Sequence, residues 1–147
     1  MMIRKADWQI DKSTLSDIRH KVFVLEQHVP VELELDEHDP CCHHWMATIR
    51  GEAVGVVRMS NKGVIGRMAV LRPYRKQGIG RKLLDAAIAY AKSQNWRLVT
   101  LSAQDHAIGF YAAAGFTPYG ERFMDAGIPH QAMQMVLMSA VNRPGQP

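Results

Sequence analysis

The stretch Arg75-Lys76-Gln77-Gly78-Ile79-Gly80 lies between an apolar run, Val64–Leu71, and an amphipathic one, Arg81–Ala91. It reads as strand, turn and helix, with a turn suited to gripping a phosphate. Unpaired amides of a helix's first turn converge there, glycines admit an anion without a Cβ in the way, and the helix dipole adds roughly 0.3–1 kcal/mol. Two nucleotide-binding patterns fail. A Walker A loop needs Gly-Lys-Ser/Thr, whereas Gly80 is followed by Arg81 and Lys82. A dinucleotide fingerprint needs a third small residue where Leu83 stands, and βαβ crossovers where this chain has hairpins.

Working outward, His44–Ile49, Ala53–Met59 and Val64–Leu71 read as strands separated by the turns Gly51-Glu52 and Asn61-Lys62-Gly63, which predicts an antiparallel meander. Ile3–Ala6 fits an edge strand. Leu15, Ile18, Val22, Leu25 and Val29 recur at helical spacing behind the cap-type residues Asp11, Ser13 and Thr14. They predict a first helix from about Ser13 to Gln27, ended by Pro30. Val31–Pro40 is acidic and without period, a loop with room for one helical turn. Downstream, Ile79, Leu83, Leu84, Ala87, Ile88 and Ala91 mark one helical face. Leu98–Ser102 is a nearly all-apolar strand of a sheet interior, and Asp105–Ala114 a second helix stopped at Gly115. Phe116–Phe123 and Gln131–Met138 read as a last strand pair joined through Asp125–Pro129. Residues 142–147 read as a disordered tail. The sum is α+β, one domain over residues 1–141, with helices packed on a mixed sheet.

A chain of 147 residues buries one core of ordinary size. No run approaches the roughly 18 apolar residues that cross a bilayer, and the start has no apolar signal region, so a cytoplasmic protein with no membrane partner is expected. The two cysteines, Cys41 and Cys42, are adjacent and read as reduced. The formal net charge is +4, yet the basic residues concentrate only at Arg72–Arg81, on the phosphate turn itself. A small polyanion accounts for that cluster as well as a nucleic acid would, and no RNA-reading aromatic motif or zinc-finger spacing accompanies it. No nucleic-acid partner is therefore expected. Acidic residues gather elsewhere: Glu26, Glu32, Glu34, Asp36, Glu37 and Asp39.

The segment from Met68 to Leu84, with its Arg-x-x-Gly-x-Gly turn, resembles motif A of the GNAT acetyltransferases, whose acyl donor is acetyl-CoA. The segment Ala107-Ile-Gly-Phe-Tyr-Ala-Ala-Ala-Gly-Phe resembles their motif B in order and separation. The chain departs from many members in carrying Gln104 in place of Asn. The resemblance implies a twisted, mostly antiparallel sheet of six to seven strands flanked by helices. It implies that the backbone of Met68, Ala69 and Val70 faces the acetyl and pantetheine portion. It also implies that the turn of Arg75, Lys76, Gln77, Gly78, Ile79, Gly80 and Arg81 takes the pyrophosphate through its amides. Tyr111 matches a tyrosine near the thioester sulfur in many relatives; the bland alternative is a core aromatic, as Phe110 and Phe116 are read to be.

Acetyl transfer to an amine needs a neutral amine, a polarised carbonyl and a proton for the departing thiolate. A tyrosine is protonated at neutral pH and suits the last task, so Tyr111 is the candidate general acid. Base candidates are Glu26, Glu32, Glu34, Asp36, His43 and His44, with Glu26 taken as the catalytic choice. The segment from Arg19 to Pro30 resembles that of a subgroup of small bacterial GNAT proteins. Arg19, Phe23, Glu26 and Gln27, at i, i+4, i+7 and i+8, would share one helical face, lining an acceptor pocket with Asp36 or simply packing.

No metal is expected: Asp36, His38, Asp39, Cys41, Cys42, His43 and His44 lack the spacing that turns two thiolates toward one zinc. The Met-rich end, Met133, Met135 and Met138, suits core packing or a homodimer contact. The expected activity is N-acetylation of a small-molecule or protein amine from acetyl-CoA, with a catalytically silent CoA-binding sensor as the alternative.

Overall fold

The computed structural model describes residues 1–137. The Met138 end of the last strand, the domain limit at 141 and the tail 142–147 lie outside the described residues. The chain runs β1 (Met2–Ala6), α1 (Trp8–Arg19), a π-helical segment (His20–Glu26), α2 (Val31–Glu34), β2 (His43–Ile49), β3 (Glu52–Met59) and β4 (Val64–Val70). It continues through α3 (Ile79–Ser93), β5 (Leu98–Gln104), α4 (Ile108–Ala113), β6 (Thr117–Pro118), β7 (Phe123–Asp125) and β8 (Ile128–Val136). One eight-stranded sheet has the order β1-β2-β3-β4-β5-β8-β6, with β7 also on β8. All pairings are antiparallel except β4 with β5. This is the mixed, mostly antiparallel α+β architecture expected from the sequence.

Three local expectations need correction. The first helix begins at Trp8 rather than Ser13, because Asp7 directly after β1 caps it: the Asp7 carboxylate accepts from Gln9 N at 2.8 Å and Ile10 N at 3.4 Å. Asp11 lies within the first turn and receives Arg4 in a two-pronged ion pair at 2.9 and 3.1 Å. Phe116–Phe123 is not one strand. It breaks into β6 and β7, which pair with different stretches of β8, Met133–Gln134 and Ile128–His130. The split raises the strand count to eight. The helix after α1 is also not uniform, since Gln27 N bonds Val22 O at 3.0 Å, a five-residue return, where an α-helix closes over four.

The alternation of strand side chains fills both faces of the sheet. On one face, α3 sets Leu83, Leu84, Ala87 and Ile88 over Trp45, Val57, Ile65 and Val99. On the other, α1 and the π segment set Leu15, Ile18 and Val22 over Met46, Val56 and Ala69. Two buried layers on opposite faces follow from the neighbours Trp45/Met46 and Val56/Val57 pointing apart.

Candidate active site

The parallel strands β4 and β5 are paired only at Val64↔Thr100 and Ile65↔Leu101, and then part. Beyond that point β3 pairs Val56 with Ala69 and Arg58 with Gly66, so Arg67 and Met68 together face the single residue Val57. That is a β-bulge, and Arg67 takes φ 50 there. The bulge and the divergence leave the backbone of Met68, Ala69 and Val70 without pairing toward β5. Across the gap α4 presents Tyr111, whose hydroxyl lies 3.9 Å from Met68 Sδ. Its ring packs edge-on to Phe110 and Phe116, with centroids 5.0 and 6.0 Å away. Burial pushes the phenol up to about 12, so it stays protonated through the neutral range.

Below the gap, Leu71–Tyr74 leads into the glycine turn. Gly78 has φ 81 and stands as the N-cap of α3, with no side chain capping that end. The first-turn amides of Ile79, Gly80 and Arg81 lack intrahelical acceptors. A Cβ at Gly78 would meet nothing within 4 Å, leaving open space for an anion. Lys76, Gln77 and Arg81 are exposed around it, while Ile79 is buried beneath and roots the turn in the core. The basic turn, the bare helix end and the open space above Gly78 fit the pyrophosphate of a CoA-type donor. The Arg75 side chain turns away: Nε donates to Val70 O at 2.8 Å, and both terminal nitrogens grip Glu26 at 2.6 and 2.7 Å.

The structure does not bring Arg19, Phe23, Glu26 and Gln27 to one surface. The π segment widens the helix between them, and each goes to a different partner. Arg19 is buried, donating to Glu34 at 2.6 Å and to Asp39 at 2.9 and 3.0 Å. Phe23 packs, half-buried, on the α1-side core. Glu26 takes Arg75 and, at 3.2 Å, Arg72. The Arg75 guanidinium holds its carboxyl down at about 2, with Arg72 adding to the effect against a partial desolvation penalty. Gln27 exchanges amide hydrogen bonds with Gln104 at 2.9 and 3.4 Å, tying the first helix to the end of β5.

The acidic segment is largely neutralised from within. Asp36 accepts from Arg58 at 2.7 Å, and Asp39 from Arg58 at 2.9 Å in addition to Arg19. Burial raises the Asp39 carboxyl, but Arg19 and Arg58 outweigh it and leave it below the usual carboxylate range. At Asp36 the same burial penalty is overcome by the His38 amide and Arg58. Glu32 and Glu37 remain exposed. His43 and His44 part to opposite faces. His43 bonds Asn61 at 2.6 Å beside Tyr90 on the α3 side, whereas His44 is buried against Trp8 with Nε2 2.9 Å from Asp39 O. Burial lowers the His44 pKa. Among the described residues no three His, Cys, Asp or Glu side chains converge as metal ligands would.

Two features escaped the reading of the sequence. One is Arg67, the only charged residue in the apolar strand Val64–Val70, an incongruity that marked it in retrospect. The other is the pairing of Gln104, itself a departure from the family pattern, with Gln27, 77 positions away.

Strands that part above a bare, glycine-led helix end, with a phenol in the opening, define a domain for acyl transfer from a CoA thioester. The comparisons agree. The profile described as acetyltransferase (GNAT) domain matches residues 10–137. The candidate acetyltransferase BSU40680 of Bacillus subtilis (strain 168) is 35% identical over 139 residues, covering 90% of this chain and 95% of that one. The N-acetyltransferase YjcF of the same organism, itself uncharacterised, is 35% identical over 120 residues, 79% and 86% of the two chains. The crystal structure of an acyl-CoA N-acyltransferase from Pseudomonas aeruginosa superposes with a TM-score of 0.81 at 28% identity, over 92% of this chain and 99% of that one. The chain belongs to the GNAT acetyltransferase family, and this membership supports acyl transfer from an acyl-CoA. Among the described residues no helix is long and apolar enough to cross a membrane.

Proposed function

We propose that this protein transfers an acetyl group from acetyl-CoA to a primary amine by direct attack, without an acyl-enzyme. The observation that carries this reading is the meeting of Tyr111 and Met68 at 3.9 Å where β4 and β5 part, directly above the bare end of α3. Amides of Ile79, Gly80 and Arg81 would hold the pyrophosphate, with Lys76 and Gln77 at its rim. The exposed backbone of Met68, Ala69 and Val70 would align the pantetheine and polarise the thioester carbonyl, which becomes an oxyanion as the amine nitrogen bonds to its carbon. When the C–S bond breaks, the electron pair leaves on sulfur, and Tyr111 hydrogen-bonds to that thiolate, passing on a proton only as it takes one back from solvent. The amine's surplus proton passes to water.

The sequence points to Glu26 as the base. A carboxyl held at about 2 accepts a proton poorly at neutral pH. Its bidentate grip on Arg75 supports a positioning role instead, joining the acceptor-side helix to the pyrophosphate turn. Phe23, packed on the α1-side core, and Gln27, tied to Gln104 at the end of β5, would support the acceptor side of the opening. Arg19 and Asp36 support the wall behind it through their ion pairs.

The test joins binding to turnover. Acetyl-CoA should raise the melting temperature, and thiol release should appear with at least one amine of a broad panel. Stabilisation without release would identify a silent CoA-binding module. Absence of both binding and release would overturn the proposal.

A further inference from the structure

The bulge in β4 turns Arg67 and Met68 in opposite senses. Met68 Sδ reaches Tyr111, while the Arg67 guanidinium reaches across the other face to the end of α2, donating to Glu34 O at 3.3 Å and Leu33 O at 3.5 Å. Those contacts are long, and both come from Nη2. Nε is buried with no hydrogen-bond partner. Nη1 donates to no atom of the described residues, and the side chain keeps 28% of its exposure.

The nearby carboxylates do not satisfy this arginine. Glu34 Oε1 lies 3.8 Å from Nε, but the same oxygen takes Arg19 at 2.6 Å. Asp36 Oδ2 lies 3.7 Å from Nη2, but the same oxygen takes Arg58 at 2.7 Å. Three acids thus bind two arginines closely and hold the third at arm's length. Burial, then the charges of Arg58 and Arg19, lower the Arg67 pKa, as expected of a cation short of anionic partners. A guanidinium presents its donors as a fork matched to a carboxylate, and such charge-assisted pairs are about twice as strong as neutral hydrogen bonds.

Resting on the acetyltransfer reading above, we propose that Arg67 is the specificity residue of the acceptor site and binds a carboxylate on the amine substrate. The acceptor is then an amino acid or a molecule ending in one, rather than a simple polyamine or an amino sugar. Arg67 and Met68 share one bulge, so the guanidinium lies on the acceptor-side face of the strand whose other face carries Met68 and Tyr111. The acidic segment serves to aim Arg67 rather than to attract a cationic acceptor.

The probes are matched amines with and without the carboxylate: lysine against cadaverine, and phenylalanine against phenethylamine. In the wild type kcat/KM should favour the carboxylate-bearing member of at least one pair by about tenfold or more, mainly through KM. In Arg67→Gln that ratio should collapse toward one, and Arg67→Lys, which keeps the charge but loses the fork, should fall between. A purely structural arginine would lower both members alike and preserve the ratio. A preserved ratio in the variants, or no carboxylate preference in the wild type, overturns the proposal. If Arg67→Gln does not fold, the ratio in Arg67→Lys decides.

Thermal shift by the free amino acids provides a readout without turnover. Stabilisation that disappears in Arg67→Gln supports the carboxylate site even where no amine releases thiol. In that outcome the acetyltransfer reading fails and the Arg67 site stands. Equal shifts in wild type and variant count against the site.

Discussion

Replacing Tyr111 by Phe should move activity and stability in opposite directions. Among the described residues the hydroxyl makes one hydrogen-bond contact, to the Met68 thioether at 3.9 Å, a weak acceptor. A buried hydroxyl whose acceptor is a weak one is costly to the fold. Removing the oxygen while keeping the ring against Phe110 and Phe116 should therefore stabilise the fold by about 0.5–1 kcal/mol. For a chain of this size that raises the melting temperature by about 3 °C or less. On the proposed mechanism the same oxygen serves the leaving sulfur, so kcat should fall roughly 100-fold or more. The assay is thiol release at saturating acetyl-CoA, run beside a thermal melt of the same preparation. A more stable but slower enzyme cannot be explained by misfolding. A kcat within about twofold of wild type, or a lower melting temperature, would refute the reasoning. Because only the acid form is useful and it persists below about 12, ionisation of Tyr111 should produce no fall in rate on the alkaline side up to about pH 11.

Gly78→Glu adds bulk and negative charge where a Cβ meets nothing within 4 Å. Titration calorimetry should show acetyl-CoA binding weakened about tenfold or more, with a folding cost of about 1 kcal/mol for a side chain at φ 81. Glu26→Gln removes the Arg75 and Arg72 pairs, worth about 1 kcal/mol at this half-exposed position. The native carboxyl titrates at about 2 against a reference of 4.5. Its contribution is thus complete above that reference and lost as pH falls through the lower value, so melting temperature should drop more steeply between pH 5 and 2 in wild type than in the variant. Asp39→Asn removes the two-pronged carboxylate that takes Arg19 at 2.9 and 3.0 Å, leaving Glu34 as its one close carboxylate among the described residues, and weakens the hold on Arg58. A loss of about 3 kcal/mol is expected, read from the urea midpoint.

Local chemistry made the turn into α3 legible: the glycines, the adjoining basic residues and the helical face that follows lie within about one turn and one helix. The meander was legible for the same reason, since its turns are short and its strands alternate. The start of α1 was not, because one aspartate directly after β1 did the capping that three later polar residues also seemed fit to do. The bulge at Arg67–Met68 depends on which residue of β3 faces it, a matter of register that β4 alone does not encode. The fate of Glu26 was decided by Arg75, 49 positions on, and that of Arg19 by Glu34 and Asp39, 15 and 20 positions on. A charge's role follows from its partner, and the partners here meet only in the fold.

Gly63 sits where β4 begins, with φ 77 and a hypothetical Cβ only 2.7 Å from the Leu98 carbonyl oxygen, while its own carbonyl accepts Thr100 N at 2.9 Å. This contact pins the two parallel strands at their root. The aperture of the wedge is therefore fixed from its hinge end, remote from Tyr111 and from Arg67. Any side chain at position 63 would press on the Leu98 carbonyl and lever β5 outward, altering the gape from the end far from Tyr111 and Arg67.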